Sequence, residues 1–140
     1  MYAFEKISAA EAFALVQHSL QEAEKINKHI AIAVCGPEGE MICFLRMDMA
    51  SPAASTIAIN KAYTAARDRK STRLMGKFML EENRPSTFWG DSGITGFGGG
   101  VPVMAGNKVA GGIGISGLSE EEDERIANAA ITAVYGNRQT

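Results

Sequence analysis

Near its C-terminal end the chain reads GGIGISG, and within it Gly112, Gly114 and Gly117 have the G-x-G-x-x-G spacing of a loop that cradles a dinucleotide pyrophosphate. That chemistry needs its glycines at the turn from a parallel strand into a helix, with an acidic residue about 20 positions on to hold the ribose and a further strand beyond. Here KVAGGIGIS reads as a strand, so Gly112 and Gly114 fall inside it and little chain is left after them. The pattern is therefore not a dinucleotide site. Glycine within a strand instead marks a place where another backbone, a helix or a flat ligand comes close to the sheet. A second pattern, GDSG at Gly90 to Gly93, also surrounds the nucleophile of trypsin-like proteases. Such an enzyme needs a positioned histidine base. His18 falls on a helix and His29 at a strand start, neither in a protease motif, so GDSG is read as coincidence.

Metal chemistry has equally little support. The two histidines and two cysteines, at 18, 29, 35 and 43, lack the paired local spacing of a structural zinc site. Cys35 and Cys43 sit in apolar strand-like runs and read as free, buried thiols. Lys61 is more informative, because it interrupts the small apolar run AINKAYTAA, where an unpaired ammonium is costly to bury. Either its stem snorkels to water or its charge serves an anion in a pocket, and Thr64, one turn later, shares its helix surface. If Lys61 serves a pocket, Lys61→Met is expected to spare the fold and weaken ligand binding.

The elements that must position these residues follow from periodicity and caps. The chain has 140 residues, 46% hydrophobic and 21% charged, with a formal net charge of -2, the profile of one globular domain over 1–140 with no global attraction to nucleic acid. No apolar run approaches the roughly 20 residues needed to cross a bilayer, and no basic-then-apolar leader opens the chain, so a cytoplasmic location without membrane partners is expected. Ser8 and Glu11 form a capping box ahead of apolar residues at helical spacing, predicting a helix over 8–26. HIAIAVC and MICFLRM, joined by GPEGE, predict a β-hairpin. Ser51 and Pro52 start a second helix in which Ala54, Ala58, Ala62 and Ala65 imply close packing. A shorter helix over 72–82, a loop entering a strand, a hairpin turning at Gly106 and Asn107, and a final helix capped by Ser119 and Glu122 and closed by Gly136 complete the order.

The segments FGGGVPV at Phe97 to Val103, GGIGISG at Gly111 to Gly117, IAVCGPEGEMICFLRMD and IAINKAYTAA together resemble the GlcG/HbpS family, which includes the C-terminal domain of PduO-type cobalamin adenosyltransferases. The resemblance covers nearly the whole chain in the right order. It implies a profilin-like α+β fold, a mostly antiparallel sheet of about five strands packed with helices, assembled as a homo-oligomer, dimer or octamer. It further implies an accessory role in diol, glycerol or glycolate metabolism, with haem or another tetrapyrrole as the candidate ligand.

Haem needs a flat apolar slot, an iron ligand and cations for its propionates. On this reading His18 and His29 are the candidate iron ligands. Lys61, Thr64, Phe97, Gly98, Gly99, Gly100 and Pro102 are the candidate ligand-binding residues, the glycines offering backbone N–H groups or simply forming a tight turn. The basic run Arg67, Arg69, Lys70, Arg73 and Lys77 reads as a solvated helix face, or as an anion site or subunit contact. No paired carboxylates or nucleophile–base pair can be defended from spacing, so small-ligand binding is favoured over catalysis. The alternatives are a small enzyme acting on an aldehyde, hydroxyacid or cofactor by-product, and an assembly factor.

Overall fold

The computed structural model describes residues 1–136, so residues 137–140 of the expected 1–140 unit lie outside the described chain. Helix α1 (Ala9–Lys25) begins where Glu11 N–H donates to Ser8 Oγ at 3.1 Å and Ser8 N–H donates back to Glu11 Oε2 at 3.2 Å, and it buries Ala12, Leu15, Val16 and Ala23. Strands β1 (Ala31–Cys35) and β2 (Met41–Arg46) form the first hairpin. Helix α2 (Pro52–Asp68) is capped by Ser51, and helix α3 (Thr72–Glu81) by Ser71. A 3-10 turn, Ser86–Trp89, precedes strands β3 (Gly100–Ala105) and β4 (Lys108–Ser116), which are joined through Gly106 and Asn107. Helix α4 (Glu120–Tyr135), capped by Ser119 and closed by Gly136, follows.

The sheet has the order β2-β1-β4-β3, and every neighbouring pair is antiparallel. The architecture is the expected profilin-like α+β arrangement, but with four strands rather than about five. The stretch expected to enter an extra strand, residues 83–100, forms no strand of its own before β3 begins at Gly100, and meets the sheet only at its end, where Gly99 O accepts from Ile115 N–H. Many of its N–H groups go to side chains instead: Gly93 donates to Asp91 Oδ1, Thr95 to Thr64 Oγ1, Phe97 to Thr95 Oγ1 and Gly98 to Glu120 Oε1, while Ile94 donates to Asp91 O within a turn. A backbone satisfied in this way has no need of a ladder.

Alternation divides the two faces of the sheet. Ile32 and Val34 of β1 and Ile113 and Ile115 of β4 join Leu15 and Val16 of α1 and Ile126, Ala130 and Ile131 of α4 in the main core. On the other face Ala31, Ala33 and Cys35 meet Ala54, Ala58, Ala62 and Ala66 of α2. Here β4 presents glycine: a Cβ at Gly114 would overlap Ala58 O, and one at Gly112 would overlap Ala62 O. Helix α2 therefore lies directly on the strand backbone, and the glycines of GGIGISG mark close approach of a helix. Cys35 donates its thiol to Ala62 O at 3.2 Å in this layer, where burial pushes its pKa up to about 12 and leaves it an unreactive thiol. Its partner in sequence, Cys43, is half-buried, and both are free. Among the described residues no helix is long and apolar enough to cross a membrane.

Candidate functional site

Close packing of α2 on β4 carries Lys61 inward. Its side chain is 3% exposed, and Nζ donates to Ile115 O at 2.8 Å and to Asp123 Oδ2 at 3.0 Å. Asp123, on α4, accepts Leu118 N–H at its other oxygen, 3.2 Å away. Burial raises the Asp123 pKa above its ordinary value, and the neighbouring Lys61 charge only partly offsets this. Lys61 thus neither snorkels to water nor carries a free charge; its counter-ion belongs to the chain.

The glycine segment wraps this pair. Gly99 has φ +122, and a Cβ there would meet Lys61 Nζ and Asp123 Cβ, so both the backbone conformation and the space require glycine. Gly100 N–H donates to Thr72 Oγ1 at 2.8 Å, Gly98 N–H to Glu120 Oε1 at 2.7 Å, and Gly99 O accepts from Ile115 N–H at 3.1 Å. The N–H groups of Gly98 and Gly100, candidates for an external anion, are therefore directed at acceptors within the chain. Thr64 is fully buried and acts as a staple, donating to Gly93 O at 3.1 Å while accepting Thr95 N–H at 3.0 Å. Pro102 stands in the edge strand β3 opposite Gly112, where a missing N–H is tolerated.

What this scaffold presents to solvent is Phe97, 56% exposed. Its ring lies between two cavities that share Phe97 and Glu120. One, about 410 Å³, reaches down to Lys61 and Asp123 between the starts of α2 and α4. The other, about 610 Å³, runs between α3 and the 94–97 segment, with Met79, Leu80, Ile94 and Phe97 as apolar wall and Arg73 and Lys77 as cations. Gly76 makes this groove possible: α3 crosses the segment so tightly that a Cβ at Gly76 would overlap Gly96 O. Arg73 is held by Glu124 through Nε at 3.2 Å, and Lys77 lies 3.8 Å from Glu81.

The two histidines are placed elsewhere. His18 is half-buried on α1, which packs on the sheet face opposite α2. His29 is exposed and borders a separate cavity of about 550 Å³ with Lys28, Arg46 and Met47. Of the sequence-selected residues, only Lys61 and Phe97 line the Phe97 cavities; Thr64, Gly98, Gly99 and Gly100 belong to the scaffold behind them, and Pro102, His18 and His29 lie elsewhere. Sequence reasoning missed Asp123, Glu120 and Thr72, and the Leu80 and Ile94 part of the apolar wall; Met79 was legible there only as one of several methionines able to ligate iron or fill the core. A signal for Asp123 exists: it precedes Ile126, Ala127 and Ala130 at helical spacing and so falls on the buried stripe of α4. The acidic run around it hides that signal, because four carboxylates at a helix start read as dipole complements.

A family model described as haem degrading protein HbpS-like matches residues 7–132. The chain is 34% identical to protein GlcG of Escherichia coli over 110 residues, covering 79% of this chain and 81% of that one. A double mutant of Streptomyces reticuli HbpS superposes with a TM-score of 0.88 at 28% identity, covering 98% of this chain and 92% of the other. PduOC, solved as a haem complex, has a TM-score of 0.87 at 23% identity over 96% of this chain and 99% of that one, a likeness of fold.

Proposed function

The chain belongs to the HbpS-like family, and from that premise we propose that it binds a flat amphipathic anion, haem or a related tetrapyrrole, in the groove between α3 and Phe97, as a cytoplasmic accessory of diol, glycerol or glycolate metabolism. The observation that carries this reading is the groove itself, about 610 Å³, with an apolar wall at Met79, Leu80, Ile94 and Phe97 and cations at Arg73 and Lys77. That volume is within the roughly 300–1,000 Å³ of small-molecule pockets, and the separation of apolar wall from cationic rim suits a macrocycle with carboxylates at one edge. Haem, when bound, supplies a redox-active iron. Phe97 and Leu80 would flank the ring, Arg73 and Lys77 would neutralise its propionates, and Met79 brings the soft sulfur donor. Neither His18 nor His29 is among the residues lining this groove.

Titration of the purified protein with haemin, followed at the Soret band, tests the reading. Saturation at a defined stoichiometry is expected, with affinity lowered in Arg73→Met/Lys77→Met and with His18→Ala and His29→Ala retaining binding. A spectrum indistinguishable from haemin beside an unrelated acidic protein would reject it. A band that forms and then bleaches under reductant and oxygen would favour an enzyme that consumes the ligand, in keeping with the description of the matching family.

A further inference from the structure

On the far side of α3 lies a second cavity, about 380 Å³, lined by Asp68, Lys70, Phe78, Arg84, Phe88 and Trp89. Phe78 is two residues from both Gly76 and Leu80, about 200° around the helix at roughly 100° per residue, so this cavity and the Phe97 groove occupy opposite sides of the same element. We propose that it binds a small aromatic anion, one or two fused rings bearing a single phosphate or carboxylate, stacked on the aromatic side chains and held by Arg84 and Lys70.

The cavity is built by a sequence of caps. Helix α3 closes with Asn83 at φ 52, its N–H donating to Leu80 O at 3.4 Å while Arg84 N–H donates to Met79 O at 2.9 Å, the paired bonds of a Schellman ending. This fixes the position of Arg84. Pro85 then extends the chain, and the 3-10 turn ends at Gly90 with φ 64, so Phe88 and Trp89 fold back on α3. Trp89 meets Phe78 edge-on, with centroids 6.1 Å apart at 79°. Lys70 lies 5.2 Å from the Phe78 centroid and 3.4 Å from Asp68, the one carboxylate of the lining. Arg84 has no ion pair among the described residues, which leaves the cavity with one uncompensated cation. Phe88 remains 68% exposed, an aromatic surface of the kind that stacks on a planar ring. The α2–α3 junction and the 3-10 turn thus juxtapose aromatic faces and a free guanidinium, the two requirements of an aromatic anion.

Trp89 is the single tryptophan, so its emission reports this cavity alone. The intact protein is titrated with AMP, adenosine, benzoate and inorganic phosphate while Trp89 fluorescence is followed. Saturable change is expected with AMP, benzoate or both. Adenosine, lacking the anion, and phosphate, lacking the ring, are each expected to bind about tenfold more weakly or worse. AMP alone would assign nucleotides, benzoate alone aromatic carboxylates. Arg84→Ala should weaken the response about tenfold without changing the melting temperature, and Arg73→Met, across α3, should leave it unchanged. Dialysis of Phe88→Ala against radiolabelled AMP or benzoate checks stacking independently of the fluorophore. No saturable change with either anion, an equal response in Arg84→Ala, or concentration-dependent shielding of Trp89 from acrylamide by a second copy would each overturn the proposal.

Discussion

Lys61 Nζ and Asp123 Oδ2 lie 3.0 Å apart with both side chains nearly sealed from solvent, joining α2 to α4 across the end of β4. Breaking one partner of such a pair strands a buried charge, at about 3–5 kcal/mol, whereas replacing both with apolar groups is often close to neutral. With Asp123 as its counter-ion, Lys61 no longer meets the condition, a charge held for a bound anion, under which Lys61→Met was expected to spare the fold. Lys61→Met is expected to lose about that much in urea unfolding, and Lys61→Met/Asp123→Leu to recover most of it. Additive losses in the double variant would show that the two residues act separately.

The same pair sets a pH dependence. Burial raises the folded-state pKa of Asp123 above the unfolded value, so its favourable contribution is complete below the unfolded pKa and is lost as pH rises through the raised one. Measured from acid upward through that window, the wild type should lose stability relative to Asp123→Asn, which cannot ionise there. In Lys61→Met the window should move to higher pH, because the charge that partly lowers the Asp123 pKa is gone. Parallel stability curves for wild type and Asp123→Asn would contradict this assignment.

Gly114→Ala tests the contact of α2 with β4. Its Cβ would overlap Ala58 O, a backbone atom that cannot rotate aside, and a loss of about 1–3 kcal/mol or more is expected. Gly106→Ala, in open space but at φ +64, should cost only the roughly 1–2 kcal/mol of a left-handed residue. Equal melting temperatures for Gly114→Ala and wild type would mean that α2 can retreat from the sheet.

Thr64→Val removes a hydroxyl and little volume. Gly93 O and Thr95 N–H would then lose their partner, a cost of about 1–3 kcal/mol for buried polar groups. Because Thr64 secures the segment leading to Phe97, amide exchange in residues 93–98 should quicken and haemin affinity should fall, although Thr64 lines neither cavity. Unchanged exchange would assign the anchoring to Thr72 and Glu120 instead.

Self-association is the remaining prediction. Phe13, Phe44 and Met49 are exposed at 56%, 38% and 84%, and large apolar groups of this kind are commonly covered between subunits. Light scattering at micromolar concentration is expected to give at least twice the 14.9 kDa chain mass, as a dimer or octamer. A monomer at every concentration would remove this interpretation of those side chains.

Most of the elements were legible in the amino-acid order, because their signals are local. Ser8 with Glu11, Ser51 with Pro52 and Ser119 with Glu122 are capping chemistry complete within a few residues, and the alternation in HIAIAVC is set by the pleat. It also showed that Gly112 and Gly114 lie in a strand and mark close approach, which removed the dinucleotide reading. Tertiary structure decided the rest. That α2 is what approaches these glycines, that Lys61 finds Asp123 sixty-two residues away, and that the 90–99 segment is held by Thr64 and Glu120 rather than by a fifth strand all depend on contacts between distant parts of the chain. A lysine in an alanine-rich helix declares that its charge must be answered; only the fold specifies whether a ligand, water or a carboxylate answers it, because burial energy depends on which groups meet in space.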